Sequence, residues 1–283
     1  MGDYKRHFLL LGLPATGKTS FLAALYYYLT SNLPDRKFIE YKKSANTAYL
    51  NKIMNLWSKC EEIDRTVTQI DSSNKEVLLH LEDVDTKTRF ELQVPDIAGE
   101  HFVAQFTNRL WEKEYKHEVE KASGIALFLN PSKIRNHVLL DDTQIDDDDF
   151  EEVEELEPFK IEEVPTQIML VDILNYHYVH QNKSPIPLSL VISAWDEVES
   201  ENIAPLDWLQ YNLPLLYQYL ISNPEKFTLR VFGVSAQGGK IKDDDLEKER
   251  LASMDEPGER FIVRDGNNIN KNICAPLQWL IAQ

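Results

Sequence analysis

The sequence predicts an α/β fold, a mostly parallel sheet with helices on both faces. Three observations carry this. Four short apolar runs, 7–11 (HFLLL), 123–130 (SGIALFLN), 188–193 (LSLVIS) and 228–234 (TLRVFGV), have the length and character of strands buried on both faces. Stretches with helical spacing separate them. Between the first run and its helix stands the glycine-bearing turn GLPATGKT, residues 12–19.

Each element follows in order. Residues 20–29 are rich in Ala, Leu and aromatics and read as the first helix. Residues 44–62 are polar but place Leu50, Ile53, Met54 and Trp57 at helical spacing. Asp71-Ser72-Ser73-Asn74 is a turn signal. Residues 76–83 (EVLLHLED) and 88–94 (TRFELQV) alternate as strands and make one antiparallel hairpin. One long helix is expected over 102–121, another over 166–180, and a third over 208–222. The strand 228–234 is expected to be the last, residues 240–258 to be a charged loop, and 272–282 to close the chain as a helix.

The length of 283 residues suits one α/β domain with insertions, and 43% hydrophobic residues suffice for its core. Two insertions are expected. Residues 141–163 are more than half Asp and Glu, a composition that repels itself and stays unfolded. Residues 240–265 are a charged loop. A formal charge of −17 and a pI near 4.8 argue against nucleic acid or an anionic membrane as main partner. Cys60 and Cys274 are the only cysteines, so neither a disulfide framework nor a zinc spacing exists, which fits a reducing cytoplasm. The N-terminus reads as no signal peptide, and no run reaches transmembrane length.

The turn GLPATGKT matches G-x-x-x-x-G-K-[ST], the phosphate-binding P-loop, and each position has a task. Gly12 turns the chain off its strand. Gly17 lets backbone approach an anion. The amides of the loop, from Pro14-Ala15-Thr16 to Ser20, surround phosphate oxygens at a helix N-terminus. Lys18 faces the β- and γ-phosphates, and Thr19 offers a hydroxyl to Mg²⁺. Ligands of such sheets gather beyond the carboxyl ends of the strands. There the sequence places Asp96-Ile97-Ala98-Gly99-Glu100, then Ser193-Ala194-Trp195-Asp196, then Ser235-Ala236-Gln237. Asp96 is suited to hold a water on Mg²⁺, and Gly99 frees an N–H for a γ-phosphate.

Together these segments resemble the sequence boxes of Ras-like GTPases of the TRAFAC class. GLPATGKT resembles the first box, DIAGE the DxxG box, SAWD the guanine box and VSAQ the Ser-Ala-Lys box. More narrowly, GLPATGKTSFLAALYYYL, DIAGE and the terminal PLQWLIA look like the bacterial double-GTPase families of prokaryotic conflict and antiviral systems. The resemblance implies a P-loop NTPase three-layer sandwich of Ras-like topology, GTP or GDP as ligand, and Mg²⁺. Asp196 would accept from guanine N1–H and its exocyclic amine, and the Ala236 amide would meet guanine O6. Ser193, Ser235 and Gln237 complete that end. Trp195 is counted with them as a residue that could stack on the base, although a tryptophan at a strand end is more often a packing residue.

The sequence departs from the pattern in two places. Ala194 stands where the guanine box carries the lysine that covers the base and braces the P-loop. Glu100 stands where Ras-like proteins place the glutamine that orients water; Glu100 or the following His101 are the candidates to act on it. Thr66 is the best switch I threonine, for Mg²⁺ and the γ-phosphate, with Thr47 a poorer choice. Arg65 beside it is either a finger in cis or a surface residue.

The leading expectation is a slow, Mg²⁺-dependent GTPase switch that acts on a protein partner, a second GTPase or an associated effector. The alternatives are a nucleotide-holding scaffold without significant hydrolysis and an ATP-dependent P-loop kinase. The kinase would need an arginine-rich lid; 241–264 carries Lys242, Lys248, Arg250, Arg260 and Arg264 but is mostly acidic and reads as a loop.

Overall fold

The computed structural model describes residues 6–31, 36–63, 76–95, 99–136, 160–198, 202–242 and 244–283, without the side chains of 99–101, 103, 104 and 162. A nine-stranded sheet runs β2-β3-β4-β1-β5-β6-β7-β8-β9. Its centre is parallel: β1 (Arg6–Gly12) lies between β4 (Arg89–Pro95) and β5 (Gly124–Leu129), followed by β6 (Ile186–Ser193) and β7 (Phe227–Ser235). All eight residues of β6 are buried, as its apolar run requires.

Alternation on β1 builds two cores. Phe8 and Leu10 pack on one face with α1 (Lys18–Thr30), α2 (Thr47–Ser58) and the C-terminal helix. Leu9 and Leu11 pack on the other face with α4 (Lys113–Lys121), α5 (Thr166–His180), α6 (Pro205–Asn212) and α7 (Pro214–Ile221). The expected three layers are present.

The antiparallel part is larger than one hairpin. β3 (Glu76–Asp83) pairs antiparallel with β4, and β2 (Phe38–Lys42) adds an edge outside it. At the other edge, β8 (Ile262–Asp265) and β9 (Asn268–Asn270) continue past β7, so β7 is not the last strand. The segment expected as a charged loop instead forms α8 (Asp245–Ala252) and β8. Asp244 caps α8 by accepting from the Glu247 N–H at 3.0 Å.

Two expected helices are each split in two. α3 (Gly99–Asn108) ends where Arg109 takes a left-handed φ of 55°, before α4 begins. Pro214 separates α6 from α7, because proline lacks the N–H an unbroken helix would use. The chain closes with α9 (Ala275–Ile281). No helix of the described residues is long and apolar enough to cross a membrane. Most of the acidic stretch 141–163 lies outside the described residues; its end forms a 3-10 turn, Ile161–Glu163.

Candidate nucleotide site

The P-loop joins β1 to α1 in the conformation its glycines permit. Gly12 has φ 153°, and a Cβ there would lie 2.5 Å from the Phe128 carbonyl oxygen of β5. Gly17, at φ 81°, opens α1, and a Cβ there would lie 2.9 Å from the Ser193 side chain. Only glycine fits either position. The first turn of α1 holds no acidic residue to oppose the positive end of its dipole.

Lys18 folds back over this loop. Its Nζ donates to the carbonyls of Gly12 at 2.6 Å and Leu13 at 2.7 Å, with the Thr16 hydroxyl at 3.2 Å. These acceptors are neutral, and among the described residues no carboxylate pairs with it. Burial without a counter-charge pulls Lys18 down to about 8. Thr16 turns inward, donating to the Leu13 carbonyl at 2.8 Å, so its side chain braces the loop. Pro14 is half-buried and Ala15, at φ 57°, is exposed.

A cavity of about 130 Å³ opens beside the loop. Gly17 and Ser20 line it from the P-loop side. Ser193, Ala194 and Asp196 from the end of β6, and Ser235, Ala236 and Gln237 from the end of β7, line it as well. Segments more than 170 residues apart in sequence thus share one cavity at the carboxyl edge of the sheet.

The β6 end is a sharp turn. Ala194 is left-handed at φ 48° and begins the 3-10 turn Trp195–Glu197. That turn sends Asp196 into the cavity and Trp195 the other way. Trp195 is fully buried, its ring over Gly233 of β7 and 6.4 Å from Trp208. The stacking role for Trp195 is therefore corrected: its ring is committed to the core and does not line the cavity. Asp196 is raised from the ordinary carboxylate value, first by desolvation and further by Glu247, while the Ser235 hydroxyl pulls it down. Ligand donors would favour the charged form. Ser193 Oγ is buried without a hydrogen-bond partner. It lies against the Gly17 backbone at the border of the cavity.

The β7 end is braced from outside. Ser235 Oγ accepts from the Gly238 N–H at 2.8 Å. Gln237 lines the cavity but donates its side-chain amide to Cys60 Sγ at 3.2 Å, just past α2. Trp57 of α2 donates to the Ala236 carbonyl at 3.1 Å. Sequence reasoning missed Trp57, Gly233 and Asn130. Asn130, directly after β5, lines the cavity and accepts from Ser132 N–H at 2.9 Å. Its signal was its strand-end position; a glycine inside the apolar run TLRVFGV was the signal for Gly233.

Arg65, Thr66 and Asp96 lie outside the described residues, as do the side chains of Glu100 and His101. Gly99 begins α3. Thr47, the poorer switch threonine, opens α2, its hydroxyl donating to the Ser44 carbonyl at 2.6 Å. Thr19, half-buried in the first turn of α1, is the described oxygen donor suited to Mg²⁺. Among the described residues no group of three His, Cys, Asp or Glu could hold a metal. An ion here would draw on the Thr19 hydroxyl, phosphate oxygens and water, a set that suits Mg²⁺.

No curated protein matches the chain. Solved structures similar to it include a bacterial selenocysteine-specific elongation factor, EF-Sec, at 14% identity and TM-score 0.35, covering 89% of this chain and 29% of that one. The GTP-bound GTPase-like domain of S. cerevisiae Ski7 is similar at 11% identity and TM-score 0.43, covering 85% and 45%. The GDP-bound RocCORdC of Methanosarcina barkeri Roco2 is similar at 14% identity and TM-score 0.34, covering 88% and 49%. The chain spans under half the length of each of these three. The sequence model of Double-GTPase 1 matches residues 9–280, from the first strand through the last helix. The chain belongs to the Double-GTPase 1 family.

Proposed function

We propose that the protein is a molecular switch that binds GTP with Mg²⁺, hydrolyses it slowly, and passes its state to a protein partner. One observation carries the reading: a single cavity joins Gly17 and Ser20 of the P-loop to Asp196 and Ala236 at the neighbouring strand ends. Phosphates would lie on the loop amides against Lys18. The base would lie at the far end, where Asp196 accepts from a donor pair that adenine lacks. Mg²⁺, when bound, would neutralise phosphate charge. Thr19, with Thr66 and Asp96 as further candidates, would hold it.

The chain's own residues do the positioning. Lys18 would supply the positive charge at the phosphates, its Nζ held at the loop by the Gly12 and Leu13 carbonyls. Glu100 or His101 would orient the attacking water. Thr66 and the 96–99 segment would close on the γ-phosphate and release after hydrolysis. A second GTPase or an associated effector as partner, and a role in bacterial defence, rest on the family resemblance.

A kinase lid from 241–264 finds no support. Arg260 and Arg264 are buried there, and Arg260 donates to the Trp57 and Ser58 carbonyls at the end of α2. Single-turnover hydrolysis of protein-bound GTP, with and without Mg²⁺ and in Glu100→Ala and His101→Ala, tests the reading. A slow Mg²⁺-dependent rate that falls in one variant is expected. GTP bound and released intact over many hours would instead make the protein a nucleotide-holding scaffold.

A further inference from the structure

The cavity has one cationic residue in its wall among the described residues, and no sequence box accounts for it. Lys240 follows β7 by five residues and lines the cavity together with Ala194, Asp196 and Gln237. It is exposed and makes no ion pair or hydrogen bond among the described residues.

The loop that carries it is clamped. Gly238 takes φ 81°, its N–H held by Ser235 Oγ, and a Cβ there would lie 2.3 Å from the Arg260 carbonyl oxygen. At Gly239 a Cβ would lie 2.1 Å from Glu247 Oε1. Glu247 is itself held by two hydrogen bonds from Arg250, at 2.6 and 2.7 Å. The base of Lys240 is therefore fixed beside Ala236, while its side chain is free to swing.

The rings that line the cavity, Phe21 and Phe128, are buried and packed on each other at 4.9 Å, which leaves little ring face for a base. Asp196 can hold only the edge of a purine. Ala194 offers a methyl group to its face. Trp195, the nearest large ring in sequence, is turned into the core. A lysine can lay its methylene stem along a ring face and place its ammonium over the π-cloud.

We propose that Lys240 is a base-covering residue: on nucleotide entry its side chain closes over the face of the purine whose edge Asp196 holds. This rests on the guanine-nucleotide reading of the same cavity. Lys240 thereby adds to the affinity for the nucleoside part of the ligand and contributes nothing to the phosphates at Lys18.

The test is displacement of a fluorescent GDP analogue by GDP, guanosine and inorganic pyrophosphate, in wild type, Lys240→Ala, Lys240→Arg and Asp196→Ala. Lys240→Ala should weaken GDP and guanosine by the same factor, about tenfold, and leave pyrophosphate within about twofold. Arginine, which keeps charge and stacks, should restore most of the loss. An unchanged affinity for GDP, an equal loss for pyrophosphate, or a loss that arginine fails to repair overturns the proposal. If Asp196→Ala loses guanosine while Lys240→Ala is silent, only the role of Lys240 falls. If wild type binds no guanine compound, the underlying reading falls with it.

Discussion

Trp57 and Ala236 are 179 residues apart, yet the Trp57 indole N–H donates to the Ala236 carbonyl at 3.1 Å. The bond ties the end of α2 to the loop that would meet the guanine oxygen. The Trp57 ring is wedged between Tyr27, at 5.2 Å, and Phe261, at 5.7 Å, so the donor has little freedom to leave.

Trp57→Phe keeps most of that packing and removes the donor. A buried carbonyl left unpaired costs about 1–3 kcal/mol. We expect a lower Tm in the apo protein and a GDP affinity several-fold weaker, with ATP-analogue binding unimproved. Calorimetry on both proteins checks this; an unchanged GDP affinity would mean that the α2 brace does not set the position of Ala236.

Gly233 and Trp195 form a second such pair. A Cβ on Gly233 would fall 2.1 Å from the Trp195 ring, so Gly233→Ala must push the indole and the Asp196 turn with it. Overpacking of this kind costs about 1–3 kcal/mol, and Trp195→Ala alone about 3–5 kcal/mol. The double variant should cost less than the sum of the two, because the first change intrudes on space the second vacates. Urea unfolding of all four proteins gives the coupling; strict additivity would contradict the contact.

Lys18 carries a pH signature. Its value, about 8, lies below the ordinary 10.5 because of burial. The folded apo protein therefore binds fewer protons than the unfolded chain between these values, and its stability should rise with pH through that window. Phosphates at Lys18 push its value back up, so nucleotide binding at pH 8 should take up about half a proton from this group, and more at pH 9. Calorimetry in buffers of different ionisation enthalpy reads the uptake. Lys18→Met should abolish it and raise the apo Tm; uptake that persists in this variant would assign the proton elsewhere.

Much of the fold is legible in the sequence where apolar runs are long. β3 and α5 run over the residues expected, because alternation over eight residues and helical spacing over fifteen leave little ambiguity. The edges are harder to read. In β2 only Phe38 is fully buried, and β8 spans four residues, two of them charged, so neither shows an apolar run. Pro214 was a readable break inside 208–222, whereas the break at Arg109 is a left-handed turn at an arginine, which no composition announces.

The site divides in the same way. Ser193, Asp196, Ser235 and Ala236 follow from their places at strand ends, and the structure brings them to one cavity with the P-loop. The fate of Trp195 depends on Gly233 of the neighbouring strand, a relationship across the sheet that no local pattern contains. Trp57 and Lys240 owe their places to α2 and to the Gly238-Gly239 turn, neither of which lies in a recognisable box.

The central claim is that one end of the cavity selects guanine through Asp196. Titration calorimetry with non-hydrolysable GTP and ATP analogues in Mg²⁺, on wild type and Asp196→Ala, tests it most directly. The account predicts tight binding of the GTP analogue, at least a hundredfold weaker binding of the ATP analogue on the order expected for an unpaired buried polar group, and loss of the preference in Asp196→Ala. Equal binding of both analogues, or a preference that survives the loss of Asp196, would contradict it.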